Sequence, residues 1–73
     1  MNLDLQRLKA ARIAKGMTQL EVAEAMGWKS RSTYDKRESG LVDIGVDEFL
    51  KVLEVLGISS DQAHIFFTPD VPK

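Results

Sequence analysis

The sequence predicts an all-α domain, a compact bundle of five short helices, and three observations carry that prediction. Apolar residues recur at the three-and-four spacing of a helix from Leu5 to Phe67. The first four runs each close on a glycine (Gly16, Gly27, Gly40, Gly57), and three of the five open on a hydroxyl residue, Thr18, Ser30 or Ser59. Strand-like alternation is missing: Ile44 and Val46 alternate about Gly45 and stop there.

The first helix carries the stripe Leu5, Leu8, Ala11 or Arg12, and Ile13, and Gly16 stops it with Lys15 at the negative helix end. Thr18 is the expected cap of the second helix, Gln19–Met26, with Glu21 completing a Thr-x-x-Glu capping box and Leu20, Val22, Ala23 and Met26 facing inward. Ser30 caps a third helix over Arg31–Ser39. Helix four runs Val46–Leu56, its apolar face made by Phe49, Leu50, Val52, Leu53 and Leu56. A last helix opens on a Ser-x-x-Gln box, Ser59–Gln62, and ends near Phe67. The expected division is one domain over residues 1–67 and an irregular tail over 68–73, where two prolines stand.

At 73 residues the chain is one small domain. A domain of this size buries only about 60% of the surface its unfolded chain exposes. It has no cysteine and one histidine, His64, so neither a disulfide nor a metal is expected to staple it. Stability has to come from helix packing or from a second chain. Apolar stretches fall short of a membrane span, and the first ten residues carry charges where a signal peptide needs an apolar core. A cytoplasmic location is the resulting expectation, with no membrane partner, cofactor or small-molecule ligand. A catalytic set is also missing: Asp47 and Glu48 stand in the first turn of helix four, where the helix dipole explains them.

A net charge of −1 hides an asymmetry. Residues 1–37 hold eight Lys and Arg against four Asp and Glu, whereas residues 38–73 hold two against seven. Such polarity suits an oriented interaction with a polyanion, although an uneven solvated surface gives the same count. The more specific signal is residues 17–40, MTQLEVAEAMGWKSRSTYDKRESG. Two short capped helices are joined by a glycine turn, and the second keeps polar residues on the face that Tyr34 leaves free. A helix start offers unpaired N–H groups to phosphate, and the major groove admits one helix.

This segment and its flanks resemble the Cro/CI-type (lambda-repressor-like, XRE) helix-turn-helix domains. The matching positions are Arg12, Gly16–Met17, Thr18–Gln19, Val22–Ala23–Glu24, Met26–Gly27, Ser30 to Tyr34, Glu38–Ser39–Gly40 and Val55–Leu56–Gly57–Ile58, an ordered set covering about residues 5–67. The resemblance implies a sequence-specific transcriptional regulator of double-stranded DNA, a small phage- or prophage-type repressor acting by operator occupancy. It implies base contacts from Arg31, Ser32 and Lys36, with Ser30 and Thr33 beside them. Phosphate contacts are implied for Thr18 and Gln19, and Lys29 and Arg37 are placed to add to them. Arg12 and Glu38 match a structural ion pair joining helix one to the recognition helix. The family's fifth helix often forms a two-fold contact, which points to Ile65, Phe66 and Phe67 and to a homodimer, since two rings side by side are not expected to turn inward together.

Three departures from the family pattern stand out. The turn Gly27–Trp28–Lys29–Ser30 is one residue longer than usual, Arg37 replaces an apolar residue, and the loop Leu41–Ile44 lacks basic residues and carries Asp43. Trp28 and Tyr34 are read as turn or core packing rather than as stacking platforms. The competing reading is a protein-interaction module, such as an antitoxin or a helix-turn-helix domain that holds a protein partner through its acidic half.

Overall fold

A computed structural model describes residues 2–68 of the chain. Its elements run β1 (Asn2–Leu3), α1 (Leu5–Lys15), α2 (Gln19–Ala25), α3 (Arg31–Glu38), α4 (Val46–Val55), a 3₁₀ helix (Ser60–Phe66) and β2 (Phe67–Thr68). The fold is all-α: among the described residues four α-helices and one 3₁₀ helix surround a single core, and a two-residue strand pair joins the ends.

Local chemistry starts and stops the helices much as the sequence implies. Asp4 caps α1 by accepting the Arg7 N–H at 3.1 Å. At α2 the capping box closes both ways: Thr18 Oγ1 accepts the Glu21 N–H at 3.1 Å, and Glu21 Oε1 accepts the Thr18 N–H at 2.9 Å. Ser30 caps α3 by accepting from the Ser32 N–H at 3.2 Å. Glu48 reaches back at 3.1 Å to the N–H of Gly45, a residue with no side chain of its own to cap α4. Gly40, past the end of α3, has φ of 88°, and a Cβ there would also lie 3.2 Å from Leu5 Cδ1.

Among the described residues ten apolar side chains form the core: Leu8, Val22, Ala23, Met26, Tyr34, Phe49, Val52, Leu53, Leu56 and Phe66. Three residues expected inside are outside. Ile13 is 58% exposed, Leu20 44% and Leu50 40%. Each stands one residue off the buried stripe of its helix, and one residue is a turn of about 100°. In α1 it is Arg12 rather than Ile13 that continues the line of Leu5 and Leu8.

The C-terminal end differs most from expectation. Ser59 makes no side-chain cap, so the Ser59–Gln62 box does not form; the Gln62 N–H bonds the Ser59 carbonyl at 2.9 Å and the segment winds as a 3₁₀ helix. With a rise of about 2.0 Å per residue instead of 1.5 Å, the same residues reach further. They carry Phe66 into the core and Phe67 into an antiparallel pair with Leu3, and Thr68 pairs with Asn2. The Asp4 N–H also bonds the Phe66 carbonyl at 2.6 Å, so the start of α1 is tied to the chain's far end. Irregular structure was expected from residue 68 and from 1–67 a strandless domain; Thr68 lies instead in β2, and residues 69–73 fall outside the described residues. No helix among the described residues is long and apolar enough to cross a membrane.

Candidate nucleic-acid interface

Helices α2 and α3 meet across the turn Gly27–Ser30, and the turn's additional residue is absorbed locally. Gly27 takes φ of 85° and the Trp28 N–H closes α2 on the Ala23 carbonyl at 2.9 Å. Trp28 then folds back against the core while Lys29 stays exposed. On α3, Tyr34 is fully buried and fixes which face is turned out. Arg31, Ser32 and Lys36 are exposed on that face; Ser30 is exposed beside them, and Thr33 is half-buried. Successive positions 1, 2 and 6 of a helix share one arc of about 140° at 100° per residue, so the three outward side chains can enter one groove together.

Behind this face stands a buried ion pair. Arg12 Nε donates to Glu38 Oε2 at 2.8 Å, Nη2 to Glu38 Oε1 at 3.1 Å, and Nη1 to the Met17 carbonyl at 2.8 Å. Arg12 is 9% exposed and Glu38 7%. Burial alone would push the Glu38 carboxyl up, but hydrogen bonding from Arg12, with help from Gln19, holds it below the usual glutamate range. The pair locks α1, the start of α2 and the end of α3 at one point. Tyr34 lies beside Glu38 with its hydroxyl buried and no hydrogen bond of good geometry. Burial first, and Glu38 second, push that hydroxyl well above the ordinary tyrosine range.

Gln19, expected at phosphate, is half-buried and turned toward α3, donating to Asp35 and Glu38 and accepting from Arg31. Arg37, also expected at phosphate, is committed elsewhere. Its Nε and Nη2 donate to Glu48 Oε1 and Oε2 at 3.0 and 3.2 Å, and its Nη1 to the Thr33 carbonyl at 2.7 Å. Its guanidinium carbon lies 4.6 Å from the Trp28 ring centroid. Arg37 therefore ties α3 to α4 and to the lengthened turn, and has no free fork for phosphate. Glu48 is held below the usual range by Arg37 first and by the Gly45 N–H second. Dipole chemistry explained Glu48 in sequence, and its partner eleven residues upstream carried no local signal. Asp35, the acceptor for Gln19, was missed for the same reason.

Among the residues expected at a two-fold contact, Phe66 is 1% exposed and cannot reach a partner. Both rings do turn inward: Phe66 and Phe67 stand edge-on to Phe49, with centroids at 5.7 and 5.4 Å. Ile65 alone of the three is exposed.

Two capped helices across a glycine turn, the second showing an Arg, a Ser and a Lys outward from a fixed core contact, define a helix-turn-helix domain built to face a polyanion. A helix-turn-helix family model of the Cro/CI (XRE-like) type matches residues 8–62, more than half of the chain, and the chain belongs to that family of DNA-binding transcription regulators. No curated protein and no solved structure matches it.

Proposed function

We propose that the chain is a small repressor that reads an operator through the major groove with α3 and acts by occupancy as a homodimer. The observation that carries this reading is the outward face of α3, where Arg31, Ser32 and Lys36 are exposed beside Thr18 and Ser30. Arg and Lys donate to guanine O6 and N7, and hydroxyls serve several bases. Lys29 and the Thr18 end of α2 supply the phosphate contacts that set register. Ile65 supplies apolar surface for the two-fold contact. A dimer would set two recognition helices about 34 Å apart, one turn of DNA.

A second reading has its own support. Leu41 and Val46 are 79% and 75% exposed beside the acidic residues Asp43 and Asp47, a surface that suits a protein partner. One experiment separates the two. Isotope-labelled chain is titrated with a short mixed-sequence duplex at low and at high salt, following amide shifts. Shifts at Thr18, at 29–32 and at Lys36 that fade with salt are expected, and Arg31→Ala with Lys36→Ala should abolish them. A folded chain that shows no shift there at either salt would move the reading to the protein partner.

A further inference from the structure

The apolar arc of α4 is wider than the core it packs against. Phe49, Val52 and Leu53 are buried, and Val46 and Leu50 continue the same arc into solvent on the Leu53 side. A cleft of about 560 Å³ opens there, a size within the ordinary range of binding clefts. Leu5, Val42, Ile44 and Phe67 line it together with Val46 and Leu50. Leu41, the next residue to Val42, is exposed and does not line it. The charge around the cleft is of one sign once paired groups are set aside. Arg37 stands in the wall, but its fork is spent on Glu48 and on the Thr33 carbonyl. Asp43 in the wall and Asp47 beside Val46 are exposed, and neither makes an ion pair among the described residues. Glu54 is exposed two turns along the same side of α4, whose single basic residue is Lys51.

We propose that loop 41–45 and the outer face of α4 dock a basic amphipathic helix of a partner protein. An apolar side chain of that helix enters the cleft, and Lys or Arg beside it meets Asp43 and Asp47. This narrows the protein-partner reading above, and charge and extent choose the occupant. A second copy held to the same patch by a two-fold axis would set another pair of carboxylates against Asp43 and Asp47. DNA phosphate is repelled by the same two groups. A small molecule inside the cleft would leave Leu41 in water, whereas a helix lying over the mouth covers both. Helices present apolar anchors at i and i+4 with charged residues on either side, the pattern this surface complements. Docking here leaves the DNA face open. Arg37, the α3 residue in the cleft wall, lies about 100° past Lys36 and off the arc of Arg31, Ser32 and Lys36.

The test uses the full chain and three synthetic helices of about 14 residues, four turns each. All three carry Leu along one face, and the remaining positions are Lys in the first, Gln in the second and Glu in the third. Isotope-labelled chain is titrated with each, following the amides of Leu41 to Leu50, Ala63 and Phe67. The Lys helix should shift them and the Glu helix should not. Val46→Ser with Leu50→Ser removes exposed apolar surface and should weaken the Lys helix about tenfold. Asp43→Asn with Asp47→Asn should weaken it and reduce its dependence on salt. Gln or Glu helices binding there as tightly as the Lys helix would keep a protein partner and overturn a basic one. If no helix shifts these amides, the protein-partner reading fails together with the proposal. Octylamine, an apolar cation, is titrated alongside; affinity equal to the Lys helix would make the cleft a small-molecule site and overturn the docking. Sedimentation of the chain alone covers the last occupant: a dimer that Val46→Ser dissociates would give the surface to a second copy. Should a variant not fold, the contrast among the three helices on the natural chain still decides.

Discussion

From α1 to α3 the helices are cross-braced by charged and amide side chains, whereas α4 and the 3₁₀ helix are joined to each other by aromatic rings, with the Arg37–Glu48 pair as the charged link back to α3. Arg12, Gln19, Arg31, Asp35 and Glu38 form one hydrogen-bonded set in the first region. Phe49, Phe66 and Phe67 make edge-on pairs in the second. Apolar burial is large and non-directional, so the aromatic end supplies stability without defining an orientation closely. Hydrogen bonds between charged groups are directional and nearly cancelled by desolvation, so the polar end adds little net stability and fixes how α3 sits on its neighbours. The helix that faces the ligand is the one that is held by direction.

If that division is right, the largest loss of stability comes from the aromatic end. Phe66→Ala should cost roughly 3–5 kcal/mol, a large share of the 5–15 kcal/mol that holds an ordinary domain together. At roughly 4–8 °C per kcal/mol for a chain of this size, the melting temperature should fall by about 12 °C or more. Calorimetry checks it. A drop of only a few degrees would mean that Phe66 is dispensable and that the polar end carries more of the fold than its chemistry suggests.

Much of the polar end's backbone is legible in the sequence, because its signals are local. Thr18 and Glu21, three residues apart, announce the start of α2, and Ser30 announces α3. The side-chain network is less legible. The Arg12–Glu38 pair is implied only by resemblance, and Gln19–Asp35 and Arg37–Glu48 join residues 16 and 11 apart whose meeting depends on how helices cross. The aromatic end is least legible. Ser59 and Gln62 have the spacing of a box that does not form, and a two-residue strand such as β1 has no periodicity to detect. Phe66 and Phe67 can both face inward because the chain leaves its 3₁₀ helix between them, which no helical projection anticipates.

A smaller effect, and a sharper one, is expected where the bracing is charged. Glu38→Ala leaves Arg12 buried without its partner and should cost about 3 kcal/mol, the low end for a broken buried pair because Arg12 keeps its bond to the Met17 carbonyl. Replacing both, Arg12→Met with Glu38→Leu, should recover most of that loss, since an apolar pair of similar volume needs no desolvation. Urea unfolding of the natural chain and of the two variants measures it. Equal losses in the single and the double variant would mean that the ion pair is a net source of stability, and the contrast between the two ends would disappear.

The smallest effect is a dependence on pH that belongs to the braced region. The Glu38 carboxyl, kept low by Arg12 and Gln19 against the upward push of burial, titrates below its unfolded value. Its contribution is therefore complete above the ordinary glutamate value of about 4.3 and is lost as pH falls through the lower folded value. Glu48 beside Arg37 has the same sign and adds to the acid limb, but it is more exposed and should matter less. Tyr34 has the opposite sign. Burial raises its hydroxyl, so that contribution is complete below about pH 10 and is lost as pH rises above it. The melting temperature should be flat between these limits and fall on both sides. Glu38→Gln should weaken the acid limb, leaving the smaller Glu48 part, and Tyr34→Phe should flatten the alkaline one, each leaving the other in place. A chain whose acid limb survives Glu38→Gln unchanged would place the titrating carboxylate outside the brace, and would leave the aromatic and polar ends alike in their response to charge.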